Sequence, residues 1–495
     1  MTSSAGIPST LFVGCEPNVL ADGRGWILAV GPGARAAAPA GTQVVELAGQ
    51  TLPGLGDSHI HLDELVHLRV GLDLHRTRSL AEVLEQVRRA TASAPPDGWI
   101  LGRGWNRSLW PEPRWPSRHD LDQAGGGRPV LLASKDEHSL WASSAALSRA
   151  GITKATPDPP DGLIDREGDG NPSGIVREAG QLFTDILPRP GRSEYLRLLE
   201  AVLADLAAFG LCSLHTMDPS ETLFCLQRLQ AEGRLPLRVV VNLPVGTLGD
   251  AERVGIRSGF GGPLLRIWGI KAFLDGSLGS LTAEMLDGSG VARIPDPELD
   301  HLIERCQAAE LNLCLHAIGD GAVRRALTAL ERHPTPWPLW RPRIEHAQCV
   351  EEGDLARFRS TGAVASMQPL HAVSDRETAD AVWGPTAAHA YSWAGLARAG
   401  VPLAFGSDAP GESPDPLLGI DAATSWRARA DWYPDQALTE AQALAGYTTG
   451  LAFAAGMERE CGQLAPGYRC DLTVVGDGAV NATVVGGRVA FLRAG

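Results

Sequence analysis

Two histidines that stand one residue apart, His59 and His61, are the first residues of this sequence that could bind a metal ion together. They follow the apolar, turn-rich segment 52–56 and can therefore lie at the end of a β-strand. Side chains two residues apart on a strand point to the same face, so both imidazoles could reach one ion. Imidazole is the commonest metal ligand among side chains. The pair is also compatible with ordinary polar loop residues, so its interpretation depends on further ligands elsewhere in the chain.

Further residues able to bind a metal stand at the ends of later apolar segments. Lys271 lies within one such segment, His316 and His346 end two others, and Asp408 follows the last. The chain has only three lysines among its 44 basic residues, so a lysine within an apolar segment is notable. An amine that is desolvated can lose its proton and react, whereas arginine stays protonated. Lys271 is therefore a candidate for a role in the chemistry, and it is hard to explain as a residue that only faces solvent.

Apolar strand-like segments alternate with amphipathic helical stretches along most of the chain, a pattern typical of a parallel α/β fold. Eight such segments predict a (β/α)8 TIM barrel, with strands at 55–61, 211–217, 237–243, 266–274, 311–316, 342–347, 363–368 and 402–407. Active sites of these barrels lie at the carboxyl ends of the strands. The histidines, the lysine and the aspartate all fall at or near those ends.

Three parts of the chain are expected to fold differently. Short strand-like segments in residues 1–52 and 458–495 predict one composite β-sandwich domain built from both chain ends. The barrel is expected to cover residues 53–457. The stretch from about 75 to 195, after the first barrel strand, is too long for one crossover helix and is rich in tryptophan and proline. Long insertions in compact domains are usually functional, so we expect this one to cover the barrel mouth as a lid.

The order of these residues resembles that of the amidohydrolase superfamily: H-x-H on strand one, then lysine, histidine, histidine and aspartate on strands four, five, six and eight. The resemblance is to its YtcJ-like branch, also called amidohydrolase 3, which includes N-substituted formamide deformylases. It is carried by the segments KAFLDGSLGS (271–280), LHAIGD (315–320), RIEHAQ (343–348) and FGSDAP (405–410). It covers nearly the whole chain.

The resemblance implies a metal-dependent hydrolase that cleaves the C–N bond of an amide or N-substituted formamide in a small organic substrate. Two divalent ions, zinc in this interpretation, would be bridged by a carbamylated Lys271. His59, His61 and Asp408 would hold one ion, and His316 and His346 the other. Ion-activated hydroxide would attack the carbonyl, and Asp408 would act as general base and then as general acid. In the alternative interpretation, Lys271 is a structural cation that is not carbamylated. It would then pair with Asp275 or Glu178, and the site would hold one ion.

Substrate contacts are expected from side chains near the strand ends and from the insertion. His215 at the end of the second strand could line the pocket or be a core histidine. The remaining candidates are His138, Trp141, Asp275, Gln368 and His371.

The composition favours a small-molecule ligand. A net charge of −14 and a pI near 5.4 would repel nucleic acid and anionic membranes. Neither a signal peptide nor an apolar run of membrane-spanning length stands out in the sequence. The eight cysteines contain no C-x-x-C pair and fit reduced thiols in a cytoplasmic protein. A homodimer is compatible with the sequence, although no segment indicates its interface.

Other functions use the same residues. A deaminase of a heterocycle would be expected to carry a glutamate shortly after the strand-five histidine, but the sequence there is H-A-I-G-D. A lactone or ester hydrolase also fits, because attack by hydroxide does not require nitrogen. A non-enzymatic scaffold of the same fold would be expected to lack ligands, and here all six are present.

Overall fold

The computed structural model describes residues 8–95, 97–111, 114–136, 138–159, 162–183, 186–188, 190–218, 220–334 and 337–494. The predicted sandwich range 1–52 therefore begins with residues that lie outside this description. Within the described residues, no helix is both long enough and apolar enough to cross a membrane.

Eight parallel strands form the centre of the molecule in the order of the sequence. They are Leu55–Ile60, Leu211–Thr216, Arg238–Pro244, Leu265–Phe273, Asn312–Ala317, Arg343–His346, Val364–Met367 and Leu403–Phe405. The last strand returns to the first: Asp408 donates its backbone N–H to His59 O at 2.7 Å, and His61 donates to Ala409 O at 2.9 Å. The predicted (β/α)8 barrel is thereby confirmed, with each strand within two residues of its expected bounds.

The barrel strands are buried on both faces, as parallel strands covered by helices must be. Every residue of the strand Leu211–Thr216 is buried, for example. The helices that surround the sheet bury one stripe each: Val323, Ala326, Leu327 and Leu330 recur at helical spacing in Asp320–Arg332 and face the core. The α-helices of this part are Leu62–Leu68, Arg192–Ala208, Ser220–Ala231, Leu248–Val254, Asp296–Ala308, Asp320–Arg332, Leu355–Thr361, Pro369–Trp383, Trp393–Arg398, Pro416–Asp421, Arg427–Ala430, Glu440–Tyr447 and Thr449–Ala454.

Both chain ends contribute to one seven-stranded sheet beside the barrel. The long strand Gln43–Pro53 lies in its middle, parallel to Thr10–Glu16 and antiparallel to Leu472–Gly476. The other strands are Val19–Ala21, Ile27–Val30, Ala479–Val485 and Arg488–Leu492. The arrangement of strands from the two ends in a separate sheet is the one predicted from the sequence.

The insertion after the first barrel strand is a folded unit with its own six-stranded sheet. The strands are Leu72–Asp73, Ile100–Trp105, Val130–Ser134, Ser139–Ala142, Leu163–Arg166 and Pro172–Arg177, with the helices Leu80–Ser93, Arg118–Ala124 and Ser144–Arg149. Buried apolar residues on the two faces of this sheet form two separate cores. The sequence indicated an insertion and a lid but not this sheet, because its strands are short and are interrupted by turns.

Candidate active site

A cavity of about 750 Å³ lies at the carboxyl ends of the barrel strands, where the insertion meets the barrel. Its barrel side is lined by His61, Lys271, His316, His346 and Asp408. The insertion contributes another wall, which includes Trp105, Arg107, Trp115, Lys135 and His138. Five of the six side chains singled out as metal ligands thus share one cavity. The sixth, His59, is fully buried beside Asp408.

The carboxylate of Asp408 lies between two groups of histidines. Its Oδ1 is 3.1 Å from His61 Nε2 and 3.5 Å from His59 Nε2. Its Oδ2 is 3.9 Å from His346 Nδ1 and 3.7 Å from His371 Nε2. In each group, the potential ligand atoms lie within 4.8 Å of one another. Nitrogen and oxygen ligands bind zinc at about 2.0–2.2 Å, so donors around one ion have this kind of mutual spacing.

His316 and Lys271 stand next to these two groups. The ring of His316 lies 4.5 Å from that of His346 between centroids, and its Nε2 donates a hydrogen bond to Gly276 O at 3.0 Å. That bond leaves Nδ1 as the ring atom with a free lone pair. Lys271 Nζ is 3.3 Å from His59 Nε2. The second group differs from the sequence-based expectation, because His371 joins His346 and Asp408 while His316 lies beside them.

Neighbouring side chains orient two of the imidazoles. His59 Nδ1 donates to Glu345 Oε2 at 2.7 Å, and His346 Nδ1 donates to Gln368 Oε1 at 2.9 Å. A hydrogen bond at Nδ1 fixes the tautomer and leaves Nε2 with its lone pair for a ligand. This is the usual arrangement around a metal-binding histidine, in which the other ring nitrogen bonds to an acceptor.

The electrostatics of the cluster fit a divalent cation. Burial lowers the pKa of His59 to about 4 and lowers the pKa values of His316 and His346 well below their ordinary value. Those three imidazoles are therefore neutral at neutral pH, the state in which they bind metals. Burial opposes ionisation of Asp408, but the surrounding histidines hold the pKa of its carboxyl well below the usual range. Neutral imidazoles around one ionised carboxylate are a donor set suited to zinc and similar ions.

The backbone at two of these residues is held in an uncommon conformation. His346 has φ 70° and Asp408 has φ 59°, both in the left-handed region. Non-glycine residues there cost free energy and are often found at functional sites. The strand carrying Asp408 also approaches the first strand closely, since a Cβ at Gly406 would lie 2.5 Å from Asp57 Oδ1 and from His59 N. Only glycine allows that approach, which brings Asp408 beside the histidine pair.

Two of the expected substrate contacts line the cavity, His138 on the insertion and His371 after the seventh strand. Trp141 and His215 do not line the described cavity. Trp141 is buried in the insertion's core, where its indole N–H donates to Ser117 O at 2.8 Å. His215 is fully buried, and its Nδ1 accepts from Arg343 Nη1 at 2.9 Å. Of the two readings open for His215, the core histidine is the one observed.

Asp275 and Gln368 are likewise absent from the described lining of the cavity. Asp275 accepts backbone N–H groups from Gly319 at 2.8 Å and from Ile318 and Glu284 at 3.0 Å, so it joins two barrel loops. Gln368 is occupied in holding His346. Asp275 thus holds two loops of the barrel together, and Gln368 holds the ring of His346.

Several residues of the site were not singled out from the sequence. Glu345, which holds His59, stands beside an apolar residue within a buried strand, and that unusual position was a signal. Glu178, named from the sequence only as an alternative partner of Lys271, accepts from His138 at 2.8 Å and from Thr282 at 2.6 Å, and so connects the insertion to the barrel. Asp218 lines the cavity near His61. The partners of Glu178 and Asp218 lie far away in the sequence, which gives no local pattern to detect these two residues.

We expect binding of a divalent cation to the metal-free protein to release a proton at pH values below the raised pKa of His61. Burial lowers the pKa of His61, but the hydrogen bond and the negative charge of Asp408 outweigh burial and raise this pKa above its ordinary value. His61 therefore carries a proton that a bound cation must displace, so affinity rises with pH through that pKa. Titration calorimetry in buffers of different ionisation enthalpy measures the release, with His61→Gln losing it and His67→Gln retaining it. Binding without proton release in the wild type would contradict the proposed role of His61.

Comparison with known proteins agrees with this geometry. Residues 43–490 match the family model described as "Amidohydrolase family". The chain is 30% identical to the putative amidohydrolase YtcJ of Bacillus subtilis, covering 88% of this chain and 85% of the relative. It is 28% identical to N-substituted formamide deformylase of Arthrobacter pascens, covering 89% and 86%. An uncharacterized metal-dependent hydrolase from Pyrococcus furiosus has a similar structure, with a TM-score of 0.73, 28% identity and coverage of 94% and 98%. The chain belongs to the amidohydrolase family and is a metal-dependent hydrolase.

Proposed function

We propose that this hydrolase cleaves a non-peptide C–N bond, an amide or an N-substituted formamide, in a small organic molecule. The observation that carries the proposal is the cluster of His59, His61 and Asp408, the last two of which line a cavity of about 750 Å³. A cavity of this size suits a small molecule. Similarity to an N-substituted formamide deformylase supports the choice of bond.

His59, His61 and Asp408 would hold one zinc ion, and His316 and His346 a second, with His371 close enough to contribute. Divalent ions in such a site polarise a carbonyl and lower the pKa of water. Asp408, which is ionised, accepts the proton of the attacking water. It then returns the proton to the departing nitrogen, so that the amine leaves in neutral form.

Lys271 would bridge the two ions as a carbamate. Burial lowers the pKa of its amine, which increases the fraction of the unprotonated form that can add to carbon dioxide. The addition forms an N–C bond, releases a proton and converts a cation into a carboxylate. Asp275 and Glu178, the alternative partners for an unmodified lysine, hydrogen-bond to backbone amides and to His138 instead. Those contacts favour the bridging role.

The metal content of Lys271→Ala tests whether a carbamylated Lys271 bridges two ions. We expect two ions per chain in the wild type and a lower metal content in Lys271→Ala. We also expect the variant to lose at least ~100-fold in activity, which is more than the loss typical when a residue that only orients a metal ligand is replaced. Elemental analysis measures the metal, and activity is assayed on N-formyl and N-acetyl amines with a lactone and an aminoheterocycle alongside. Lys154→Ala, at a lysine that contacts Asp169 O on the surface, is the matched control.

The other outcomes are equally informative. One ion in both proteins with intact activity would contradict the bridge and indicate a site for a single ion. Turnover of the lactone or the aminoheterocycle without any amide cleavage would contradict the proposed bond. A wild-type protein that binds no divalent metal would contradict the assignment of the ligands.

A further inference from the structure

The cavity wall formed by the insertion contains a cation with no carboxylate partner among the described residues, Arg107. The other cations on the walls around it are neutralised: Lys135 Nζ lies 2.5 Å from Glu412, and Arg293 lies 3.3 Å from Glu178. Arg107 lines the same cavity and is half-buried. A guanidinium stays charged at any accessible pH. The wall therefore presents one positive charge that the described part of the chain does not balance.

A second arginine, Arg177, raises the electrostatic free energy of the charge on Arg107. The guanidinium of Arg107 lies 4.4 Å from the ring centroid of Trp115, and that of Arg177 lies 4.6 Å from the same ring. Arg177 is balanced by Asp165 at 2.5 Å. Like charges on one indole repel, so the arrangement is stabilised when an anion lies beside the unbalanced one. Partial burial and the charge of Arg177 both lower the pKa of Arg107, which is the direction expected for such a position.

Among the described acids that line the cavity, none is in an ion pair with Arg107, and the only charge that acts strongly on this arginine is that of Arg177. Asp136 accepts from Ser277 Oγ at 2.6 Å and from Ser280 Oγ at 3.2 Å. Asp218 accepts the backbone N–H of Leu62 at 2.8 Å, and Asp375 accepts from Tyr391 Oη at 2.7 Å. Since none of the described residues supplies the counter-charge, we expect a bound anion to supply it.

The surroundings of Arg107 indicate what kind of anion fits. Trp115 lines the cavity on the same wall and offers apolar ring surface, whereas Trp105, whose ring lies 6.4 Å from it between centroids, is buried. Ser108, the residue after Arg107, adds a hydroxyl to the lining. Arginine's planar fork matches a carboxylate in a bidentate manner, and an aryl group packs favourably against indole. The wall therefore combines a carboxylate partner with an aromatic surface.

We propose that Arg107 and Trp115 form a subsite for the carboxylate of the substrate, which is an amide or formamide carrying both a carboxylate and an aromatic or other apolar group. This inference rests on the proposed function for the scissile bond. The binding of a carboxylate at Arg107, however, needs no reaction. The subsite holds the carboxylate of the substrate and selects carboxylate-bearing molecules over neutral ones.

Binding of two non-hydrolysable probes tests the subsite. Phenylacetate and its neutral counterpart phenethyl alcohol are titrated into the metal-loaded protein in a buffer free of carboxylates and phosphate, and binding is followed by ligand-observed NMR. We expect Arg107→Ala to weaken phenylacetate about 10- to 100-fold, the usual effect of losing hydrogen bonds to a charged group, and to leave the alcohol unchanged. Arg107→Lys should lose part of the affinity, since a lysine keeps the charge but not the bidentate geometry.

Arg149→Ala is the matched control, because Arg149 belongs to the same insertion and lies 5.5 Å from the ring centroid of Trp99 without lining the cavity. It should bind both probes as the wild type does. Thermal unfolding of each variant identifies any loss of folding. Equal binding of phenylacetate to the wild type and Arg107→Ala would overturn the subsite, since it would place the carboxylate elsewhere, for example on the metal ions.

A kinetic measurement separates this inference from the proposed function. With N-formylphenylalanine and N-formylphenethylamine as a matched pair, Arg107→Ala should raise KM for the first and leave kcat unchanged, with no effect on the second. Cleavage of both substrates equally well in both proteins would support the amide function and overturn the subsite. Arg107-dependent binding of phenylacetate by a protein that cleaves neither substrate would support the subsite and count against the amide function.

Discussion

Asp408→Asn is expected to lower kcat/KM for an amide substrate by about 10²- to 10⁴-fold, the range typical for removal of a general acid–base group. An asparagine amide is nearly isosteric with the carboxylate but cannot accept the proton of water and return it to the leaving nitrogen. The pKa of Asp408 lies well below the usual range despite burial, because histidines surround it, so the wild-type carboxylate is ionised, the state that a general base requires. Steady-state kinetics with the best substrate of the amide panel measures the effect.

Metal analysis of the same variant distinguishes the two roles of Asp408. Its oxygens lie 3.1 Å from His61 Nε2 and 3.7 Å from His371 Nε2, so the substitution also removes a candidate ligand from both groups. Activity lost with metal retained would assign the loss to proton transfer, whereas loss of both would assign it to metal binding. Asp415→Asn is the matched control: Asp415 lies in the same loop, accepts from Leu417 N at 2.9 Å and does not line the described cavity. Full activity in Asp408→Asn would contradict both roles.

The sequence was sufficient to predict the barrel because the relevant signals are local. Each strand is a short apolar segment bounded by turn residues, and burial on both faces requires such a segment. The polar residues that interrupt or end these segments, such as Lys271 and His316, then mark the carboxyl edge of the sheet. Parallel pairing completes the argument: Phe273 is in register with His316, and Ala317 with His346, so consecutive strands bring those histidines together.

The sequence was insufficient where the deciding contact is long-range. Trp141 looked like part of a lid, but the insertion folds around its own sheet and needs that indole for a core. His215 stands at a strand end as the metal-site histidines do, but Arg343, 128 positions away, donates a hydrogen bond to it below the cavity. Asp275 is used to join two loops through backbone amides. In each case the side chain's type allowed a functional role, and its contacts are with residues that lie far away in the sequence.

The partners of His59 show how the site depends on charges buried beneath it. Glu345 accepts from His59 at 2.7 Å and binds Arg343 through both carboxylate oxygens, at 2.7 and 2.9 Å. Arg343 also donates to Ser366 Oγ at 2.9 Å and to the backbone oxygen of Ser58. All of these side chains are fully buried. Burial opposes ionisation, but the guanidinium holds the pKa of Glu345 well below its usual range, so the pair is ionic.

Glu345→Gln should therefore destabilise the protein and weaken metal binding together. Replacement of the carboxylate leaves Arg343 as a buried charge without its counter-ion, which typically costs about 3–5 kcal/mol in the free energy of unfolding. Loss of the acceptor that orients a metal-binding histidine typically costs about 10- to 100-fold in metal affinity. Denaturant unfolding of the metal-free protein measures the first effect, and competition with a chelator measures the second.

A surface ion pair close by in the sequence, Glu351 with Arg324, is the control for the buried pair of Glu345 and Arg343. Glu351 lies 2.9 Å from Arg324, with both side chains more than a third exposed. Solvent screens such a pair, so Glu351→Gln should change the free energy of unfolding by no more than about 1 kcal/mol and leave metal affinity intact. If Glu345→Gln behaved in the same way, the buried pair would not be holding His59 in place. A loss of stability without any loss of metal affinity would assign Glu345 to the barrel core and leave His59 oriented by Asp408 and Lys271 alone.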